Sequence, residues 1–338
     1  MFQFNIANKF HEVKEIAVKK VLKILGAVAA LIAVLMAAIL MLLIWASKQP
    51  AVRENYFDNV QTNAELENKY KGKGVYAVST AEYDMENTAC KKVEIWYPSQ
   101  LTETSARYPL VIMANGTGVP AAKYRPIFEH LASWGFLVVG NEDESSWSGK
   151  SSAESLDFIL KLNQTQSSAF YGKVDIDHIG IAGHSQGGVG AINAVTNQEN
   201  GGSYRAMYTA SATHVVLAEA LNWPYDVSKV NIPYFMVAGT EKTDAGDGID
   251  GSNNVGIAPL FSLQENYEKI SNGSVKFMAR RSHADHGDML AMADSYMTAW
   301  FLYWLKGDVQ AQSVFFGENA EILNNGNWQD VTYNLPSA

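Results

Sequence analysis

The chain has 338 residues, 47% hydrophobic and 18% charged, with a formal net charge of −9. That composition suits a globular protein with a large core, and an acidic balance without a basic stripe excludes nucleic acid as a partner. The single cysteine, Cys90, provides no intrachain disulfide framework and no cysteine-based metal site.

The first predicted element is apolar. Residues 24–46, ILGAVAALIAVLMAAILMLLIWA, carry no charge and as a helix are long enough to cross a hydrocarbon core of ~30 Å. Lys9, Lys14, Lys19, Lys20 and Lys23 precede this run, and only Lys48 and Arg53 follow closely. The positive-inside rule then puts residues 1–23 in the cytoplasm and everything after residue 47 outside. A cleaved signal peptide has a shorter apolar core and a small-x-small site, to which Ala46 preceded by Ile44 is a poor match. The expectation is a single-pass signal anchor in the cell membrane, or a secreted protein if the segment is cleaved. Residues 47–72, polar and mixed in charge, read as a juxtamembrane linker, and 73–338 as the folded domain.

Eight strand-like runs follow: 74–83, 91–98, 109–115, 135–141, 178–183, 206–211, 232–239 and 274–280. The first two alternate like a half-exposed antiparallel pair, and the later ones are short and apolar throughout, like strands covered on both faces. Helical patterns at 124–134, 151–164, 187–198, 259–270 and 292–306 lie between and after them. Strands alternating with helices predict an α/β fold: a mostly parallel eight-stranded sheet with helices on both faces.

One junction carries chemistry. The run HIGIAG passes through Gly183, His184, Ser185, Gln186 and Gly187 into a helical pattern. Strand, Gly-x-Ser-x-Gly, helix is the arrangement that lifts a serine hydroxyl off the tip of a strained turn. The glycines let strand and helix approach, the helix N-terminus favours developing negative charge, and the Gln186 N–H is one donor to an oxyanion. Such a serine needs an acid and then a histidine further along the chain. Asp244 stands a few residues beyond the seventh strand, with Glu241 and Asp247 as competitors. The Asp/Gly-rich loop there does not fit calcium-loop spacing, so no metal is expected. After the eighth strand, His283 and His286 compete in RSHADHGDML; His286, followed by Gly and opening the last helix, is preferred. His130, among apolar neighbours on a helix, reads as a core residue.

From about Gly74 to Lys306 the chain resembles the α/β-hydrolase superfamily, in particular its cutinase-like polyester hydrolase and dienelactone hydrolase branch. The ordered motifs PLVIMANGTG, LASWGFLVV, YGKVDIDHIGIAGHSQGG, IPYFMVAGTEKTD and SHADHG carry the resemblance. It implies a serine hydrolase without cofactor acting on carboxylic esters through Ser185, Asp244 and His286 or His283. It also implies a second oxyanion donor at the Thr117 N–H, just after Gly116. Trp147, Trp223 and Tyr225 are candidates to line the substrate site. Two other readings share these residues: an inactive hydrolase-fold binding protein at the cell surface, and an acyltransferase or peptidase with the same triad.

Overall fold

The computed structural model describes residues 49–247 and 255–334, together with residues 20, 23, 25, 26, 28, 30–42, 44 and 45 of the N-terminal segment. The chain divides into two units, Met1–Gln49 and Pro50–Ala338. In the first, residues 30–42 are helical and exposed. Among the described residues no helix is long and apolar enough to cross a membrane. The expected transmembrane helix over 24–46 is therefore not supported by the fold; Ile24, Ala27, Ala29, Leu43 and Ala46 of that span lie outside the described residues, as does most of 1–23.

The second unit is built on one sheet. Its strands are β1 (Val78–Met85), β2 (Lys91–Pro98), β3 (Tyr108–Ala114), β4 (Leu137–Asn141), β5 (Val174–His184), β6 (Ala206–Ala210), β7 (Tyr234–Gly239), β8 (Lys276–Arg281) and β9 (Trp328–Asn334). They lie in the order β1-β2-β4-β3-β5-β6-β7-β8-β9. The β4-β3-β5-β6-β7-β8 block is parallel, whereas β1/β2, β2/β4 and β8/β9 pair antiparallel. Among the described residues nine strands, not eight, form the sheet. The additional β9 escaped prediction because it is an edge strand: Gln329, Asp330, Thr332 and Asn334 break up its apolar pattern, and Trp328 alone is buried.

The five longest helices described in this unit lie on the two faces of the sheet. Helices α1 (Arg125–Ser133) and α5 (Asp294–Lys306) pack Ile127, Phe128, Trp300 and Phe301 against Val111, Met113, Ala182 and Phe235. On the other side, α2 (Lys150–Gln164), α3 (Gln186–Asn197) and α4 (Leu260–Lys269) pack Leu156, Ile192 and Leu263 with Leu110, Ile112, Ile181 and Met236. Every residue of β3 is buried, as a strand covered on both faces demands. The helix α5 comes close because Gly180 has no side chain: a Cβ there would stand 2.7 Å from the Phe301 ring.

The polar segment expected to act as a linker also packs onto this unit. Its Tyr56 hydroxyl donates to Asp294 Oδ2 at 2.5 Å, and the same oxygen lies 2.6 Å from His130 Nδ1. Burial opposes charge on His130, but Asp294 outweighs it and holds the imidazole pKa above its usual value. The short helix Glu65–Tyr70 buries Glu67 completely. Its carboxylate accepts from Asn325 Nδ2 (2.8 Å), Asn327 Nδ2 (3.0 Å) and Trp328 Nε1 (3.0 Å), and Arg281 Nη2 lies 3.7 Å away. Such a charge is tolerated inside because its oxygens are fully engaged.

A second buried acid lies in the sheet. Glu94 on β2 is pushed up to about 7, by burial first and then by Glu142, against the pull of Lys92 at 3.1 Å. A carboxyl raised in the fold above its unfolded value loses stability as pH climbs from about 4.5 through about 7. Glu94→Gln is therefore expected to raise the melting temperature at pH 8, by the equivalent of about 1–3 kcal/mol, and to change little at pH 5. Equal shifts at both pH values would refute the assignment.

Candidate active site

Ser185 sits between β5 and α3 with φ 58° and ψ −124°, a backbone that non-glycine residues avoid. The turn is possible because its flanks are bare. A Cβ on Gly183 would fall 2.0 Å from the Gly187 carbonyl oxygen, and one on Gly187 would fall 2.1 Å from that of Ala114. The Ser185 N–H donates to Ala210 O (3.0 Å), and the Gly188 N–H donates to Ser185 O (2.9 Å), which fixes the tip. The serine is partly exposed at the C-terminal ends of the parallel strands, where open α/β sheets place their sites.

Asp244 and His286 come together. His286 Nδ1 lies 2.7 Å from Asp244 Oδ1, in donor geometry for the imidazole N–H. Asp244 is wholly buried, and its other oxygen accepts from the Gly239 N–H (2.7 Å) and from the Ser211 hydroxyl. Ser211 follows β6 with φ 49°, and its own N–H donates to Val237 O at 2.7 Å. The competitors stand apart. His283 has a side chain 93% exposed, with Glu241 3.9 Å away. Asp247 pairs with Lys242 at 3.5 Å, on the surface.

The pair is tied to the elbow by the neighbour of Ser185. His184 Nε2–H donates to His286 O at 2.8 Å, and the two rings lie 4.6 Å apart between centroids. Burial, and then the facing His286, push the His184 imidazole down to about 4, so at neutral pH it is an uncharged donor. The turn after β3 supplies the other side of the site. Its Val119 N–H donates to Gly116 O (3.1 Å), and the Gly116 N–H donates to the buried Tyr124 hydroxyl (2.8 Å). Thr117 is exposed at the tip of that turn. Gln186 is the first residue of α3, where the helix ladder does not use the N–H. Asn115 anchors the same turn through Asn141 O and Asp143 O, each at 2.7 Å.

Farther along α3, Asn193 Nδ2 donates to the carbonyls of Trp147 (2.8 Å) and Pro224 (3.0 Å), tying together the loops that carry Trp147 and Trp223. Tyr225 turns its hydroxyl to Asn266. His184, Ser211 and Tyr124 were not singled out for the site by sequence reading. Only His184, inside the Gly-x-Ser-x-Gly motif, had a local signal; the other two are recruited by contacts across the fold.

No curated protein matches the chain. Residues 60–330 match the family model described as PETase, PET hydrolase-like, which covers most of the chain. With its mostly parallel sheet and strand–serine–helix junction, the chain belongs to the PET hydrolase-like family of the α/β-hydrolase superfamily.

Proposed function

We propose that this chain is a carboxylic ester hydrolase working through Ser185, His286 and Asp244. The observation that carries the reading is the 2.7 Å His286–Asp244 contact held beside the strained Ser185 turn. His286 takes the Ser185 proton as the oxygen attacks the ester carbonyl, while Asp244 keeps the Nδ1 tautomer and stabilises the imidazolium. The N–H groups of Thr117 and Gln186 receive the oxyanion. His286 then protonates the departing alcohol and activates the water that hydrolyses the acyl-enzyme. Residues 211–233, between β6 and β7, hold only one α-helix, Val215–Ala220, and no large cap. An open site of this kind suits esters that are bulky or presented at a surface. Treatment with a fluorophosphonate should give one covalent adduct, mapped by mass spectrometry to Ser185. An unmodified protein, or an adduct elsewhere, would overturn the reading.

The same proposal includes attachment to the outer face of the cell membrane through residues 24–46. It draws on the uncharged run and on Leu31, Leu35, Ile39 and Leu42, each more than half exposed along the helix. Removing residues 1–47 should release a soluble, active enzyme. Protease added to intact cells should remove the hydrolase domain and spare an N-terminal stub. A domain cut only after lysis would reverse the topology, and mature protein beginning at Ser47 would mean a secreted enzyme.

A further inference from the structure

Asp285, the residue before His286, binds the backbone of both loops that meet at the proposed triad. Its Oδ1 accepts from the N–H groups of Thr243 (2.8 Å), His286 (2.9 Å) and Asp244 (3.3 Å). Its Oδ2 accepts from the Thr243 hydroxyl at 2.7 Å. Its own N–H donates to Asp288 Oδ2 at 3.1 Å.

The other ties between these loops stop short of the reacting pair. Ala284 O accepts from the N–H groups of Thr240 and Glu241, both at 3.0 Å, and the His283 N–H donates to Thr240 Oγ1 at 2.9 Å. Those bonds hold 240–241 against 283–284. Among the described residues, the hydrogen bonds between the two loops that reach the backbone of Thr243, Asp244 and His286 are those of Asp285. Partial burial works against its charge, but the hydrogen bonds from Thr243, His286 and Asp244 hold its carboxyl below the usual range. Hydrogen bonds to an ionised acceptor are roughly twice as strong as neutral ones. Three of them to one carboxylate fix the backbone on either side of a 2.7 Å contact.

We propose that Asp285 is a positioning residue that sets the distance and angle between His286 and Asp244, a role that rests on the triad reading above. It touches no reacting atom and acts through the backbone of its neighbours. A displacement of about 1 Å in such a pair costs on the order of 10²-fold in rate.

The test uses the full chain carrying Asp285→Ala, Asp285→Asn or Thr243→Val, with Ser185→Ala and His286→Ala as controls. The readouts are the rate of fluorophosphonate labelling, kcat and KM on p-nitrophenyl butyrate, and melting temperature. Asp285→Ala is expected to label about 10²-fold more slowly and to lose kcat with KM unchanged. Asp285→Asn should recover most of that rate, because the amide oxygen still accepts from the Thr243 and His286 N–H groups. Thr243→Val, at an exposed position, should move the rate in the same direction by less. Folded Asp285→Ala labelling at the wild-type rate would overturn the proposal, as would an Asn variant no better than Ala. Should Asp285→Ala not fold, a wild-type rate in Thr243→Val overturns it instead. Failure of the triad itself looks different: Ser185→Ala and His286→Ala would then label like wild type.

Discussion

Ser185→Ala is expected to abolish fluorophosphonate labelling and to lower kcat on p-nitrophenyl esters by at least ~10³-fold, because removal of a nucleophile leaves only what binding and the oxyanion donors supply. Stability should hardly move. The residue is partly exposed and alanine keeps the same Cβ, so the strain at φ 58° is unchanged. Ser185→Gly sharpens the test, since it removes nucleophile and strain together. It should be as inactive as the alanine variant and somewhat more stable, if the turn is held against its own backbone preference. Hydrolysis surviving in Ser185→Ala would dismiss the turn as the seat of the chemistry.

His286→Ala should cost as much activity as loss of the serine, whereas His283→Ala should leave kcat within a few-fold of wild type. Members of one triad are strongly non-additive, so the Ser185→Ala/His286→Ala double variant is expected to be no worse than either single one. The two histidines also differ in what they leave behind. Removing His286 takes the side-chain partner from Asp244 Oδ1 in a fully buried site, a loss worth about 1–3 kcal/mol. Removing His283 exposes nothing, because its ring already stands in solvent. A reversed ranking of the two variants would assign the base to His283 and require the 283–286 loop to rearrange during catalysis.

These histidines show where sequence reading stops. The junction at Ser185 is legible because everything that makes it, glycines, strand and helix, lies within a dozen residues. The eight expected strands are legible for the same reason. Choosing His286 over His283 depends on which ring faces Asp244 across 42 positions of chain, and spacing alone does not carry that direction. Ser211 is hidden more deeply. Nothing near it announces a role, and its hydroxyl acquires one only because β6 and β7 are neighbours in the sheet. Glu67 misleads outright, since a glutamate in a polar run reads as solvated until Asn325, Asn327 and Trp328 close around it. The edge strand β9 is faint because one of its faces is wet, so half of its residues follow no hydrophobic rule.

The segment that buries Glu67 also decides how the domain answers a pull. Tension entering at residue 50 is expected to load β1 last. It meets first the Ala51–Lys123 backbone bond, then Tyr56 on Asp294, then Glu67 among the side chains of β8, β9 and the turn before β9. These are stations in series, and β1 feels the load only after they yield. Arg281, at the Glu67 station, ends the strand that runs directly into His286. A domain tethered by its N-terminal end would thus pass drag on its body into the base of the histidine loop. Held through that end and stretched against a second attachment on the body of the domain, the enzyme should slow before it unfolds.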